Sequence, residues 1–148
     1  MEFLITNRYV VEKRFPKTGA PLGLLSIKGP SENPIDYTMA HKYRETCGIL
    51  GLVFDDVDSL KTTDEYNLSA FTPEMAKQIL NWVNALIKAE VSLIIVQCTA
   101  GISRSAGVAA ALSLIINGDD SWVFDDKRYL PNRLVYRTIL QVHYEAKS

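Results

Sequence analysis

The chain has 148 residues, of which 47% are hydrophobic and 22% are charged, and this composition is typical of one soluble globular domain. Sixteen Lys and Arg residues against seventeen Asp and Glu residues give a net charge of -1, which argues against a general binder of nucleic acid or of anionic membranes. Two cysteines and two histidines are too few for a disulfide framework or for a Cys/His zinc site. We therefore expect a single monomeric domain over residues 1–148 that needs no metal and no other cofactor.

The N-terminal sequence contains no long apolar segment followed by a cleavage site, so we expect no secretory signal. No stretch reaches the ~18 apolar residues of a membrane-spanning helix, because the longest apolar run, from Ala106, is interrupted at Ser113. These features predict a cytoplasmic protein that does not associate with a membrane.

Four short apolar runs predict β-strands, at residues 3–5, 24–27, 49–54 and 93–96. Near-continuous apolar runs of this length are typical of strands that are covered on both faces, as in parallel sheets. The sequence therefore predicts a sheet buried between two layers of other structure.

Three longer segments predict helices. Thr72 followed by Pro73 and Glu74 is a strong helix start, and the apolar residues after it recur at helical spacing. A second helix, over about residues 105–116, is apolar almost all round, and a third covers about residues 132–146. Because strands and helices alternate, we predict an α/β fold in which helices flank a central, mostly parallel sheet.

The segment that carries chemistry lies where the last predicted strand ends, at Cys98. A five-residue loop follows this cysteine, and Arg104 opens the next helix. Ligands of α/β sheets bind beyond the carboxyl ends of the strands, where a helix N-terminus presents N–H groups and positive potential that favour a thiolate. Arg104 can bind two oxygens of a phosphate, and Gly101 lets the backbone approach a ligand. The pattern predicts a phosphate site with a cysteine nucleophile; the alternative is a structural cysteine and a helix-capping arginine.

The loop Cys-Thr-Ala-Gly-Ile-Ser-Arg-Ser at residues 98–105 resembles the phosphate-binding loop of the Cys-based protein phosphatases. Its Gly-x-Ser-Arg-Ser ending is similar to the dual-specificity subclass rather than to the strictly tyrosine-specific one. Residues 65–70 and 128–132 resemble two further segments of this superfamily. The resemblance extends from about residue 49 to the C-terminus and implies the phosphatase fold in a compact, single-domain form.

This resemblance implies metal-independent hydrolysis of phosphate monoesters, with phosphotyrosine and also phosphoserine or phosphothreonine in proteins, or a small phosphomonoester, as substrate. Cys98 is then the nucleophile that forms a phosphocysteine, and Ser105 donates a hydrogen bond to its sulfur. The phosphoryl oxygens are held by Arg104 together with the backbone amides of the loop residues Thr99, Ala100, Gly101, Ile102 and Ser103.

The resemblance also implies an aspartate that protonates the leaving oxygen from a nearby loop. We favour Asp56, because the apolar run before it resembles the junction between strand and acid in these phosphatases. Asp55, Asp58 and Asp64 remain alternatives, and Asp64 fits the linear spacing to the cysteine better.

One position departs from the family pattern, because Gln97 stands where a histidine usually precedes the cysteine. The departure predicts slower or altered catalysis, and it supports the alternative of a pseudophosphatase that binds phosphorylated partners. Activity on RNA 5′-phosphates is a further alternative, although the sequence shows no basic channel for nucleic acid. Cys47 is expected in the core, with a protective disulfide to Cys98 as the alternative.

Overall fold

Four parallel strands form one sheet in the computed structural model, which describes residues 1–61 and 66–147. The strands are β1 (Glu2–Asn7), β2 (Leu22–Lys28), β3 (Thr46–Val53) and β4 (Leu93–Cys98). Their order across the sheet is β1-β4-β2-β3, and every pairing is parallel. The predicted α/β fold is confirmed, and all four predicted strands are present and two or three residues longer than predicted, with β3 ending one residue before its predicted end.

Six helices surround the sheet within the described residues: α1 (Arg8–Lys13), α2 (Thr38–Lys42), α3 (Pro73–Lys88), α4 (Arg104–Asn117), α5 (Ser121–Phe124) and α6 (Arg133–Glu145). The three long helices were predicted. Helices α1 and α2 were not, because five or six residues are too few to show a helical period. Within the same residues, none of the helices combines the length and the apolar composition needed to cross a membrane.

Both faces of the sheet are covered, which explains why its strands are apolar throughout. Leu25 and Ile94 point to one side and pack with buried residues of α3, α4 and α6. Leu24 and Ile95 are the chain neighbours of Leu25 and Ile94. They point to the other side of the sheet and pack with Val11 of α1 and with α2. Consecutive strand residues point to opposite faces, so each face needs its own apolar set.

Local signals in the sequence place the ends of the long helices. The Thr72 hydroxyl accepts a hydrogen bond from the amide of Met75 at the start of α3, and Asn132 caps α6 in the same way through Val135. Gly118 ends α4 in the left-handed conformation, at φ 75°. These caps confirm the predicted helix positions to within one residue.

Gly107 lets α4 approach the segment that leads into α6. A Cβ atom at this position would lie 2.7 Å from the carbonyl oxygen of Asn132 and 3.3 Å from its amide nitrogen, and backbone atoms cannot move aside cheaply. The close approach therefore fixes Asn132 against the start of α4.

We predict that Gly107→Ala destabilises the protein although alanine is the better helix former. The propensity gain is about 1 kcal/mol, whereas overpacking of a tight contact costs about 1–3 kcal/mol, so the free energy of unfolding should fall by up to about 2 kcal/mol. Urea unfolding measures the change. Gly48→Ala is the control, because its Cβ would meet only Trp82 Nε1 at 3.4 Å and Leu86 at 3.9 Å. A Gly107→Ala variant that is more stable than the wild type would contradict the prediction, because it would show that the Asn132 backbone moves aside at little cost.

Candidate active site

The loop between Cys98 and Arg104 lies at the carboxyl edge of the sheet, beyond the inner strand β4. Cys98 is the last residue of β4 and is only 2% exposed, and Arg104 is the first residue of α4. Gly101 has φ 71°, and a Cβ there would lie 2.7 Å from the carbonyl group of Thr6 at the end of β1. The loop can follow this path only with glycine at that position.

Cys98 has a hydrogen-bond partner in the helix that follows this loop. Its Sγ lies 3.0 Å from the Oγ of Ser105, which is fully buried in the first turn of α4. Because α4 begins one residue earlier, the positive end of its dipole also faces the sulfur. The Ser105 hydroxyl and the start of α4 are therefore the polar groups next to the Cys98 sulfur.

Arg104 is the buried cation of the site, with 8% of its surface exposed. Its Nη1 donates to the carbonyl oxygen of Phe54 at 3.0 Å, and its Nη2 donates to the Thr99 hydroxyl at 3.2 Å. Its Nε is buried and has no hydrogen-bond partner among the described residues. A buried donor of this kind favours the binding of an oxyanion, which would satisfy it.

Glu32 is a carboxylate at this site that the sequence analysis missed. Its Oε1 lies 3.5 Å from Nη1 of Arg104 and accepts a hydrogen bond from the Gly29 amide at 2.6 Å. Its Oε2 accepts a hydrogen bond from the Thr99 hydroxyl. Partial burial acts to raise the pKa of Glu32, but the hydrogen bonds from Thr99 and Gly29 and the charge of Arg104 outweigh it and hold the pKa below its ordinary value.

Arg8 holds the loop on which Glu32 lies. Its guanidinium donates to the carbonyl oxygens of Asn33 and Pro34, both at 2.7 Å, and pairs with Glu12 at 3.0 Å. The backbone amide of Arg8 also donates to the Thr99 carbonyl at 3.3 Å. Arg8 therefore links the end of β1 to the loop after Cys98 and to the Glu32 loop, a role that no motif in the sequence signals.

Asp56 follows β3 and lies on the same cavity as Cys98. This cavity has a volume of about 350 Å³, and its lining includes Asp56, Cys98, Arg104 and Leu130. One oxygen of Asp56, Oδ1, accepts hydrogen bonds from the Ser103 hydroxyl at 2.8 Å and from the Asn132 side chain at 2.9 Å. The structure thus brings Asp56 and Cys98, the predicted acid and the predicted nucleophile, to one cleft.

The other candidate acids lie in different surroundings. Asp55 caps a neighbouring segment, because its Oδ2 accepts from the Ser69 amide at 2.7 Å. Asp58 lines an adjoining cavity of about 460 Å³ that shares Asp56 with the first. Asp64 lies outside the described residues, as does Glu65 of the second segment that resembles the phosphatases.

Gln97 is fully buried and points into the sheet. Its Oε1 accepts a hydrogen bond from the Ser26 hydroxyl at 2.5 Å, and its Nε2 donates to the Ile27 carbonyl at 3.1 Å. Both ends of this amide therefore bind β2. The Gln97 amide is neutral and both of its polar atoms are hydrogen bonded, so it adds no charge next to the Cys98 sulfur.

Cys47 lies near the start of the outer strand β3, whereas Cys98 is the last residue of the inner strand β4. It is exposed and free, so its expected burial and the alternative of a disulfide are both wrong. The register pairs Thr46 with Leu22, whereas Cys98 follows the residue that pairs with Ser26. Several strand positions of about 3.3 Å each separate the two cysteines, well beyond the Cα distance of about 7 Å that a disulfide allows.

The described residues contain no group of three or more His, Cys, Asp or Glu side chains that could hold a metal ion. The polar atoms around Cys98 are instead hydroxyl, guanidinium and amide groups together with two carboxylates that are themselves hydrogen bonded. This donor set suits an anion.

No family model and no curated protein matches this sequence. Solved structures do match it. The human tyrosine phosphatase-like serine/threonine/tyrosine-interacting protein is 13% identical with a TM-score of 0.68, covering 99% of this chain and 93% of its own. Human DUSP28 is 13% identical with a TM-score of 0.65, covering 99% and 95%. A mouse dual specificity phosphatase complexed with zinc tungstate is 14% identical with a TM-score of 0.62, covering 95% and 81%.

The chain therefore has the fold of the dual-specificity and tyrosine phosphatases over nearly its whole length. At this level of identity the likeness concerns the fold. The resemblance predicted from the loop at residues 98–105 is confirmed in that sense. It extends to the first forty residues, which match the family less well in sequence.

We predict that Glu32→Gln lowers the stability of the protein in a pH-dependent way. Because the folded pKa of Glu32 is below its ordinary value of 4.5, its ionised form stabilises the folded state. This contribution is fully present above 4.5 and is lost as the pH falls through the lower folded value. Thermal unfolding should show a lower Tm for the variant at neutral pH, and the difference should vanish in acid.

Glu90→Gln, which changes an exposed glutamate at the end of α3, is the control and should show little difference at any pH. An equal loss of Tm by Glu32→Gln at neutral and at acid pH would contradict the prediction.

Proposed function

We propose that the protein hydrolyses phosphate monoesters, without a metal, through a phosphocysteine on Cys98. The observation that carries the proposal is the convergence of Cys98, the unpartnered Nε of Arg104 and Asp56 on one cavity. The proposed substrates are phosphotyrosine and also phosphoserine and phosphothreonine in proteins, and the proposed setting is a cytoplasmic monomer.

In the first step, the Cys98 thiolate attacks phosphorus, an S–P bond forms and the P–O bond to the leaving group breaks. Asp56 gives its proton to the leaving oxygen. Arg104 and the backbone amides of the loop stabilise the negative charge on the equatorial oxygens. The existing contacts to Phe54 and Thr99 hold the guanidinium in a fixed plane, so little reorganisation is needed when the charge develops.

In the second step, water attacks the phosphocysteine and the S–P bond breaks. The leaving group is now the Cys98 thiolate, and the Ser105 hydroxyl at 3.0 Å donates a hydrogen bond to it. Asp56, which lost its proton in the first step, takes one from the attacking water. Atoms and charges balance without a metal or a further cofactor.

The rim of the cavity supports an aromatic leaving group. Leu130 and Ile102 are 73% and 42% exposed and both line this cavity. Their apolar surfaces can pack against the ring of a phosphotyrosine, and the open cleft also admits a shorter side chain.

One similar structure is that of PTPMT1 in complex with PI(5)P, with 16% identity and a TM-score of 0.55. The loop of this chain has no lysine, and the carboxylate of Glu32 binds Thr99 beside Cys98. A carboxylate at that place repels additional phosphate groups, so we do not propose a phosphoinositide substrate.

Two alternatives remain from the sequence. A pseudophosphatase that binds phosphorylated partners is supported by Gln97, which contributes no charge next to Cys98. Activity on RNA 5′-phosphates is supported only by the phosphate loop itself, since the net charge is -1. Both the nucleophile and the buried Ser105 beside it favour turnover over simple binding.

The proposal is tested by phosphate release from an aryl phosphate in EDTA across about pH 5–8, where the thiolate and the protonated acid must coexist. Wild type should be active, Cys98→Ser inactive, and Asp56→Asn strongly reduced. Cys47→Ser and Asp58→Asn are the matched controls and should retain activity. Release that survives Cys98→Ser would overturn the mechanism, and stoichiometric capture of a phosphopeptide without release would favour the pseudophosphatase. Faster release from an RNA 5′-phosphate than from the aryl phosphate would favour the RNA alternative.

We predict that Ser105→Ala slows the second step more than the first. A hydrogen bond to a charged group is worth about 1.5–3 kcal/mol, which corresponds to a fall in kcat of roughly ten- to a hundredfold. Rapid-quench kinetics should then show a burst of released alcohol followed by slow turnover, with phosphate bound to Cys98. A variant that slows without a burst would contradict this role for Ser105.

A further inference from the structure

Asn132 is a buried polar residue that contacts the proposed acid, and it is only 3% exposed. Its side-chain nitrogen donates to Oδ1 of Asp56 at 2.9 Å and to the carbonyl oxygen of Val57 at 3.0 Å. Its side-chain oxygen accepts from the amide of Val135 at 3.0 Å and so caps α6. One amide group therefore links the segment after β3 to the start of α6.

The backbone of the same residue is also fixed. Its amide donates to the Ser103 carbonyl at 3.0 Å, and its carbonyl oxygen lies against Gly107. The two neighbouring elements that hold Asn132 are thus the phosphate loop and the helix that follows it. The position of Asn132 is set by the structure that surrounds Cys98.

Capping alone does not explain an asparagine at this position. The cap needs only an oxygen, which serine supplies about as well. The side-chain nitrogen is the additional group, and both of its hydrogen bonds go to the Asp56 segment. Nothing in the capping of α6 requires those two bonds.

Asp56 needs a support of this kind. It is exposed and lies on a segment without regular structure, where a carboxylate would otherwise sample several rotamers. Ser103 and Asn132 both bind Oδ1, which leaves Oδ2 as the oxygen that can carry the proton for the substrate. Fixing one oxygen orients the other, and misplacement of a reacting group by about 1 Å can cost roughly a hundredfold in rate.

We propose that Asn132 is a positioning residue for proton transfer, one that holds Asp56 over the Cys98 cavity and ties its orientation to the phosphate loop through Ser103. The proposal rests on the proposed function, since it gives Asn132 an effect only through the acid.

Asn132→Ser tests the proposal, because it retains a cap for α6 and removes the donor to Asp56 and Val57. Two substrates separate acid catalysis from general damage. 4-Nitrophenyl phosphate has a good leaving group that needs little protonation, whereas phenyl phosphate has a poor one that needs it fully. Because Asp56 also serves the second step, which both substrates share, kcat/KM is compared, since it reports only the steps up to release of the leaving group. We expect kcat/KM for phenyl phosphate to fall roughly ten- to a hundredfold and kcat/KM for 4-nitrophenyl phosphate to fall by less than about threefold.

The second variant is Asn132→Ser in an Asp56→Asn background. If Asn132 acts through the acid, it has little further effect on phenyl phosphate once the acid is gone. Asn84→Ser, an exposed asparagine on α3, is the control, and thermal unfolding of each variant verifies that it folds. Ser103→Ala removes the other bond to Oδ1 and should show the same dependence on the leaving group, more weakly.

An equal fall of kcat/KM for both substrates would assign Asn132 a purely structural role. So would an Asn132→Ser effect that is as large in the Asp56→Asn background as in the wild type. Either result would overturn the inference and leave the proposed function standing. If Asp56→Asn itself shows no dependence on the leaving group, the acid is a different residue and the inference falls with that assignment. If the wild type releases no phosphate from either substrate, the proposed function fails, and the inference fails because of it.

Discussion

A buried guanidinium is the constraint around which the candidate site is arranged. Removing a charged group from water is costly unless polar partners replace its hydration. Arg104 obtains the Phe54 carbonyl from the end of β3, the Thr99 hydroxyl from its own loop and the Glu32 carboxylate from the loop after β2. Three separate parts of the chain are therefore drawn to the carboxyl edge of the sheet. The cavity that contains Cys98 is a consequence of this convergence, and within the described residues the buried Nε of Arg104 is left without a hydrogen-bond partner.

The sequence predicts the parts of this arrangement that are local in the chain. The caps Thr72 and Gly118 mark helix ends, and the spacing from Cys98 to Arg104 marks the loop, because the partners lie within a few residues of one another. Glu32 and Thr99 are 67 residues apart, and Asn132 and Asp56 are 76 apart, so no spacing rule reveals that they touch. Their contacts depend on the order of the strands. The catalytic roles given to Cys98 and Asp56 stay predictions, while the fold that brings them together is confirmed.

Gln97 precedes Cys98, but its side chain binds the sheet and not the phosphate loop. A buried amide must have both of its ends satisfied, and here β2 supplies both partners through Ser26 and Ile27. The side chain thus strengthens the sheet directly beneath the loop and adds no charge to it. The groups closest to the Cys98 sulfur are the Ser105 hydroxyl at 3.0 Å and the N-terminus of α4, which are neutral dipoles. The Arg104 guanidinium therefore remains the buried positive charge of the site, and hydrogen bonds to Phe54 and Thr99 fix its place.

The positions of the two cysteines give the protein a built-in pair of chemical reporters. Cys47 faces solvent near the start of the outer strand β3, whereas Cys98 is enclosed at the carboxyl end of the inner strand β4. A bulky neutral alkylating reagent reaches the first thiol in the native protein and the second only when the loop or the whole fold opens. The proposed function adds that Arg104 attracts a small anionic reagent to the second thiol. The ratio of modification at the two sulfurs therefore measures opening of the fold and occupancy of the proposed anion site within one molecule, with each thiol serving as the reference for the other.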